Sequence, residues 1–88
     1  MTQPGYMLVV DDNRMNRLLL ARALEQQGHK VAFAENGRQA LEMLHRQSFD
    51  IVLLDVLMPE LDGYHVLAEL AADHHLRNIP VIMTSALD

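Results

Sequence analysis

The chain has 88 residues, is half apolar, and carries 12 Asp+Glu against 7 Lys+Arg, for a net charge of −5. That length allows one domain, spanning 1–88, and the acidic balance argues against a nucleic-acid partner, whose phosphates need cations to neutralise them. There is no Cys, so no disulfide, thiolate metal site or Cys nucleophile; no apolar run approaches the ~20 residues of a membrane span, and the opening Met1–Gly5 lacks a signal peptide's character, so a cytoplasmic chain with no membrane partner is expected.

Tyr6–Val10 is apolar throughout and stops at Asp11-Asp12, the pattern of a short strand buried on both faces. Asn13 to Gln27 contains no Gly or Pro and reads as a helix. Leu20, Ala23, Leu24 and Gln27 form its inner stripe, extended by Met15 and Leu19, with Arg14, Arg17, Arg22 and Glu25 elsewhere on the wheel. Gly28 stands where a helix ends in a left-handed residue. Lys30–Ala34 is a second strand. Asn36 is an N-cap, and Arg38–Gln47 a second helix with Ala40, Leu41 and Leu44 inward.

Ser48 to Asp50 is a turn, and Ile51–Leu54, the most apolar run, is a third strand ending at Asp55. Pro59 and Gly63 mark a loop before a helix over Gly63–Ala72, with Val66, Leu67 and Leu70 inward. The polar stretch Asp73–Asn78 leads to Pro80 and a last strand, Val81–Thr84. Strands alternating with helices predict an α/β fold with a parallel sheet and right-handed crossovers.

Two of these strands end in acid. Ligands of open α/β sheets sit beyond the carboxyl ends of the strands, where strand order reverses. If the order is 2-1-3-4, strands 1 and 3 are neighbours about 4.8 Å apart, and Asp11, Asp12 and Asp55 face one small volume. A single acid at a strand end commonly caps the helix that follows. Three of them at two adjacent strand ends repel, and need a counter-charge to stay ionised. Oxygen ligands of this kind suit Mg²⁺, with Mn²⁺ as a substitute, and an Mg²⁺ held by one or two carboxylates completes its shell with phosphate oxygens.

The strings Val9-Val10-Asp11-Asp12-Asn13, Leu53-Leu54-Asp55-Val56-Leu57-Met58-Pro59, Asp62-Gly63 and Pro80–Ala86 resemble the receiver domain of two-component response regulators, in order and across the whole chain. The resemblance implies a flavodoxin-like, doubly wound parallel sheet. It implies that Asp55 accepts a phosphoryl group from a histidine kinase or histidine phosphotransfer protein, and that the outcome is read by an output domain or partner protein. It implies that Asp11, Asp12 and Asp55, with the backbone carbonyl of Leu57, hold Mg²⁺, and that the Ser85 hydroxyl donates to a phosphoryl oxygen. Thr84 is one position early for that role, and alternation along a strand puts the two side chains on opposite sides. Leu57 and Leu87, both apolar, occupy positions that influence phosphoryl lifetime in the family, so slow self-dephosphorylation is expected.

A whole receiver has a fifth strand and two further helices, including a lysine that pairs with the phosphoryl group; the sequence ends at Asp88 before them. Strand order 2-1-3-4 is therefore expected, lacking those elements, with strand 4 an apolar edge open to pairing in a homodimer.

The rival readings are weaker. A receiver-like interaction module that ignores phosphate is the alternative, made plausible by the missing lysine. An aspartate-nucleophile phosphatase of the haloacid dehalogenase type wants a second Asp where Leu57 stands. His74 and His75 are adjacent and diverge on a helix, so they do not chelate with His65, and neither His45 nor His65 is expected to donate phosphate. Most of the six Met residues read as core filler, and Met58 belongs to the loop over the acidic site. Asn36-Gly37 is a cap, and no nucleotide-binding glycine loop is present. The chain is thus expected to assist its own modification rather than turn over a substrate.

Overall fold

The computed structural model describes residues 5–55 and 63–84. Its elements in chain order are β1 (Tyr6–Val10), α1 (Arg14–Gln26), β2 (Lys30–Ala34), α2 (Gly37–Arg46), β3 (Ile51–Asp55), α3 (Gly63–Ala72) and β4 (Val81–Thr84). The strands form one parallel sheet in the order β2-β1-β3-β4. Register runs Leu8 beside both Ala32 and Val52, and Val52 beside Val81. The fold is the flavodoxin-like one expected, and its order reverses between β1 and β3.

Alternation along the strands sorts the core. Leu8, Val10, Ala34, Val52 and Leu54 pack on one side with Ala40 and Leu44 of α2 and Val66 and Leu70 of α3. Fully burying each such Leu or Val contributes roughly 1.5–3 kcal/mol. Phe49, in the turn before β3, is buried and lies 4.6 Å from the Tyr6 ring, between centroids. Leu76 is buried too, although its neighbours are polar: Asp73 Oδ1 accepts from the backbone N–H groups of His75 and Leu76 and folds that stretch into a turn that carries Leu76 inward.

Asn36 caps α2 as its sequence predicts, whereas α1 is capped by Asn13, which the sequence pattern places inside the helix. Asn13 Oδ1 accepts from Asn16 N–H (3.0 Å), and Asn36 Oδ1 from Gln39 N–H (2.8 Å). Gly28 has φ +91°, a left-handed conformation, and a Cβ there would meet nothing within 4 Å. Gly28→Ala is therefore expected to cost only the backbone penalty, about 1 kcal/mol, with no steric term added. A melting temperature lower by about 4–8 °C would register it.

The orientation of α1 differs from expectation. Ala21 is its buried residue, with Arg17, Leu20 and Leu24 half-buried on the same stripe. Ala23 and Gln27 are exposed, and Met15 and Leu19 are 63% and 59% exposed. Apolar residues occur around most of this helix, so their spacing fits two stripes. The small Ala21 lets the helix sit close to the sheet, and the larger side chains are left outside. On α3, Leu67 lies at the margin of the core while Val66 and Leu70 are inside it. On β4, Ile82 is about half exposed on the sheet face away from α2 and α3.

Candidate metal and phosphoryl site

The β1 and β3 strands run in step to their carboxyl ends, with Val10 beside Leu54. Asp11 and Asp55 come next on each chain and are 5% and 4% exposed, the buried charged residues among those described. Asp12 follows Asp11 on the exposed side of the corner. Each of the three offers a carboxylate oxygen, and these oxygens all lie within 4.8 Å of one another. The sheet has therefore gathered the three acids that the sequence singled out.

The corner between β1 and α1 is held from several directions. Asp11 N–H donates to the Ala34 carbonyl (3.1 Å), which extends the β1–β2 ladder by one residue. Asp11 Oδ1 accepts from Asn13 N–H (2.8 Å), a local turn that leads into the α1 cap. The Asp11 carbonyl accepts from Arg17 Nη1 (2.8 Å), and Arg17 Nη2 lies 3.6 Å from Glu35 Oε1. Arg17 was read from the sequence as an outward residue. The signal that would have placed it is the stripe Arg17, Leu20, Ala21 and Leu24, which shares one face of the helix.

Electrostatics make this rim costly when nothing else is bound. Two unit charges 4.8 Å apart repel by about 3.5 kcal/mol at an effective dielectric near 20. Because Asp11 and Asp55 are both buried, water screens that pair poorly. A divalent cation would reverse the sign of these terms. The donor set is three hard carboxylate oxygens without nitrogen or sulfur, which fits Mg²⁺ or Mn²⁺.

Asp55 is opposite Thr84 in the β3–β4 ladder, so the two side chains share a face of the sheet. Leu57, Met58, Pro59 and Asp62 of the acidic loop, and Ser85 and Leu87 beyond β4, lie outside the described residues. His45 pairs at 3.9 Å with Asp73 at the far end of α2, and His74 and His75 are exposed. No helix of the described residues is long and apolar enough to cross a membrane.

An open parallel sheet with a carboxylate cluster at its switch point is the arrangement that the receiver resemblance implies. The family profile "Response regulator receiver domain" matches residues 7–88. Response regulator PleD of Caulobacter vibrioides is 44% identical over 81 residues, which are 92% of this chain and 18% of that protein. Protein PilH of Pseudomonas aeruginosa is 36% identical over 81 residues, 92% of this chain and 67% of its own length. Among solved structures, the N-terminal domain of a response regulator receiver protein from Methanoculleus marisnigri superposes with a TM-score of 0.89 at 36% identity, covering 92% of this chain and 66% of that one.

Response regulator TrrA of Thermotoga maritima, solved in complex with Mg(2+)-BeF, superposes with a TM-score of 0.86 at 32% identity, covering 94% and 70%. The chain belongs to the response regulator receiver domain family of two-component systems. It spans about a third of the probable transcriptional regulators ycf27 of Guillardia theta and Cyanidium caldarium that it matches, 30% and 32% of their lengths.

Proposed function

We propose that this receiver takes a phosphoryl group on Asp55 from the phosphohistidine of a partner kinase or histidine phosphotransfer protein. Asp11, Asp12 and Asp55, together with the Leu57 carbonyl, would hold Mg²⁺. The observation that carries the reading is the convergence of three carboxylate oxygens within 4.8 Å at the ends of β1 and β3. The Mg(2+)-BeF complex of the related TrrA supports the choice of ion.

In the transfer, a carboxylate oxygen of Asp55 bonds to phosphorus as the P–N bond to the donor imidazole breaks, and the imidazole leaves with the bonding pair. The transition state spreads charge over the equatorial oxygens, so positioning and electrostatics do most of the work. When bound, Mg²⁺ would supply the counter-charge for those oxygens, and Asp11 and Asp12 would hold it in place without reacting. The Ser85 hydroxyl donates to a phosphoryl oxygen once the group has arrived, which biases the end of β4 between two positions and so changes the surface that an output domain or partner reads. The chain serves as a signalling acceptor and does not turn over a substrate.

Acetyl phosphate tests this directly. Incubated with it and MgCl₂, the chain is expected to gain the mass of one phosphoryl group, located on the peptide containing Asp55, and to gain none when EDTA replaces magnesium. An unmodified chain in both arms, or modification elsewhere, overturns the proposal and favours an interaction module that works without phosphate.

A further inference from the structure

The side chains of Asp11 and Asp12 hang from consecutive peptide planes, and each plane is held by a different bond. The plane entering Asp11 is held where Asp11 N–H donates to the Ala34 carbonyl at 3.1 Å. The plane leaving Asp12 is held where Asn13 N–H donates to Asp11 Oδ1 at 2.8 Å. The plane between the two acids carries the Asp11 carbonyl, which accepts from Arg17 Nη1 at 2.8 Å; among the described residues this is its one hydrogen bond. A peptide unit is planar, so a bond at its carbonyl orients the whole unit, and two oriented units leave the Cα between them little freedom. The Arg17 side chain is only 12% exposed, and its Nη2 lies 3.6 Å from Glu35 Oε1, so the clamp is itself anchored. Asp11 is buried and packing helps to hold it, whereas the exposed Asp12 takes its place from the backbone.

We infer that Arg17 is a positioning residue for this rim: by holding the Asp11–Asp12 peptide plane it presets the Asp12 carboxylate, and it strengthens magnesium binding through the backbone, touching neither a carboxylate nor the ion. The inference rests on the proposal that the rim takes Mg²⁺.

Two other roles give other results. A plain strut between the β1–α1 corner and Glu35 would, on its loss, destabilise the whole domain and leave the magnesium affinity of the folded chain unchanged. A charge acting at a distance would repel the cation, so its loss would tighten binding. Loss of a positioning bond weakens binding, because the cation must then order the backbone itself.

Arg17→Met and Arg17→Lys separate these roles. Both are followed by amide hydrogen exchange in EDTA and by the magnesium dependence of phosphoryl uptake from acetyl phosphate. In Arg17→Met the Asn13 amide is expected to exchange roughly tenfold faster relative to the Val52 and Leu53 amides of β3, the scale of one lost hydrogen bond from a charged donor. The magnesium concentration for half-maximal uptake should rise about tenfold, the low end of what losing a bond that orients a metal ligand costs. The rate at saturating magnesium should stay within about twofold, since the clamp acts on binding and not on the transfer. Arg17→Lys keeps the charge and one donor but not the planar fork, so its half-maximal concentration should rise by roughly threefold.

A half-maximal concentration that is unchanged or lowered in Arg17→Met overturns the inference, as does an Asn13 amide that changes only in step with those of β3. Should Arg17→Met fail to fold, Arg17→Lys decides alone, and an unchanged half-maximal concentration in that folded variant overturns the inference. If the unsubstituted chain shows no magnesium response, the proposed function fails and takes this inference with it; a response that is present there and identical in both variants sinks the inference alone.

Discussion

Asp55→Asn is expected to abolish phosphoryl uptake from acetyl phosphate altogether. A carboxamide oxygen is too weak a nucleophile to displace the leaving group, and no other carboxylate occupies its position beside Thr84 at the end of β3. Magnesium affinity should fall as well, because one of three converging ligands becomes neutral. Stability in magnesium-free buffer should move the other way. The substitution removes the charge that repels buried Asp11 across the β1–β3 boundary, and a gain on the order of 1 kcal/mol remains after the amide gives up part of the carboxylate's own bonding. Urea unfolding in EDTA measures that gain, and intact mass measures the uptake. Residual modification of the Asn variant at the rate of the unsubstituted chain would move the acceptor to another residue.

Leu54→Ala is the second large effect, and it lives on packing alone. Leu54 is 0% exposed and stands between Val10 and Met83 in the ladder, facing the side covered by α2 and α3. Truncating a Leu in such a place costs about 2–5 kcal/mol, the lost transfer energy plus the cavity left behind. Against a typical domain stability of about 5–15 kcal/mol, the melting temperature should drop by about 10–25 °C. Below that temperature the adjacent Asp55 is still held by the backbone ladder, so phosphoryl uptake should persist. Ile82→Ala is the matching control: half exposed on the opposite face, it should cost under about 1.5 kcal/mol.

The strands were legible almost residue by residue. Tyr6–Val10, Lys30–Ala34 and Val81–Thr84 have the bounds read from the sequence; Gly5 and Asp11 bracket the first, Glu35 ends the second and Pro80 precedes the last. The acid cluster was legible for the same reason: Asp11 and Asp55 are the first polar residues after buried strands, so the sheet decides where they go.

The face of α1 was not legible. With Met15, Leu18, Leu19, Leu20, Ala21, Ala23 and Leu24 distributed around it, hydrophobic spacing alone does not choose a stripe. The buried stripe is the one that carries the small Ala21 and the bond from Arg17 to the carbonyl of Asp11, neither of which apolar spacing singles out. Leu76 was hidden similarly, since a polar stretch conceals a core residue when an Asp side chain folds it into a turn.

The pairing pattern has a consequence for how the chain is made. The innermost strand, β1, is the first to be synthesised, and its Met7 must wait for Val31 on one flank and for Ile51 on the other. Until β3 has left the ribosome, a five-residue apolar segment has half its backbone groups unmatched, and the hairpin-like shortcuts that speed local sheets do not exist for parallel neighbours. The centre of the sheet thus waits for Leu54, the last residue of β3 in register with β1, and the next residue to emerge is the one proposed to carry the signal.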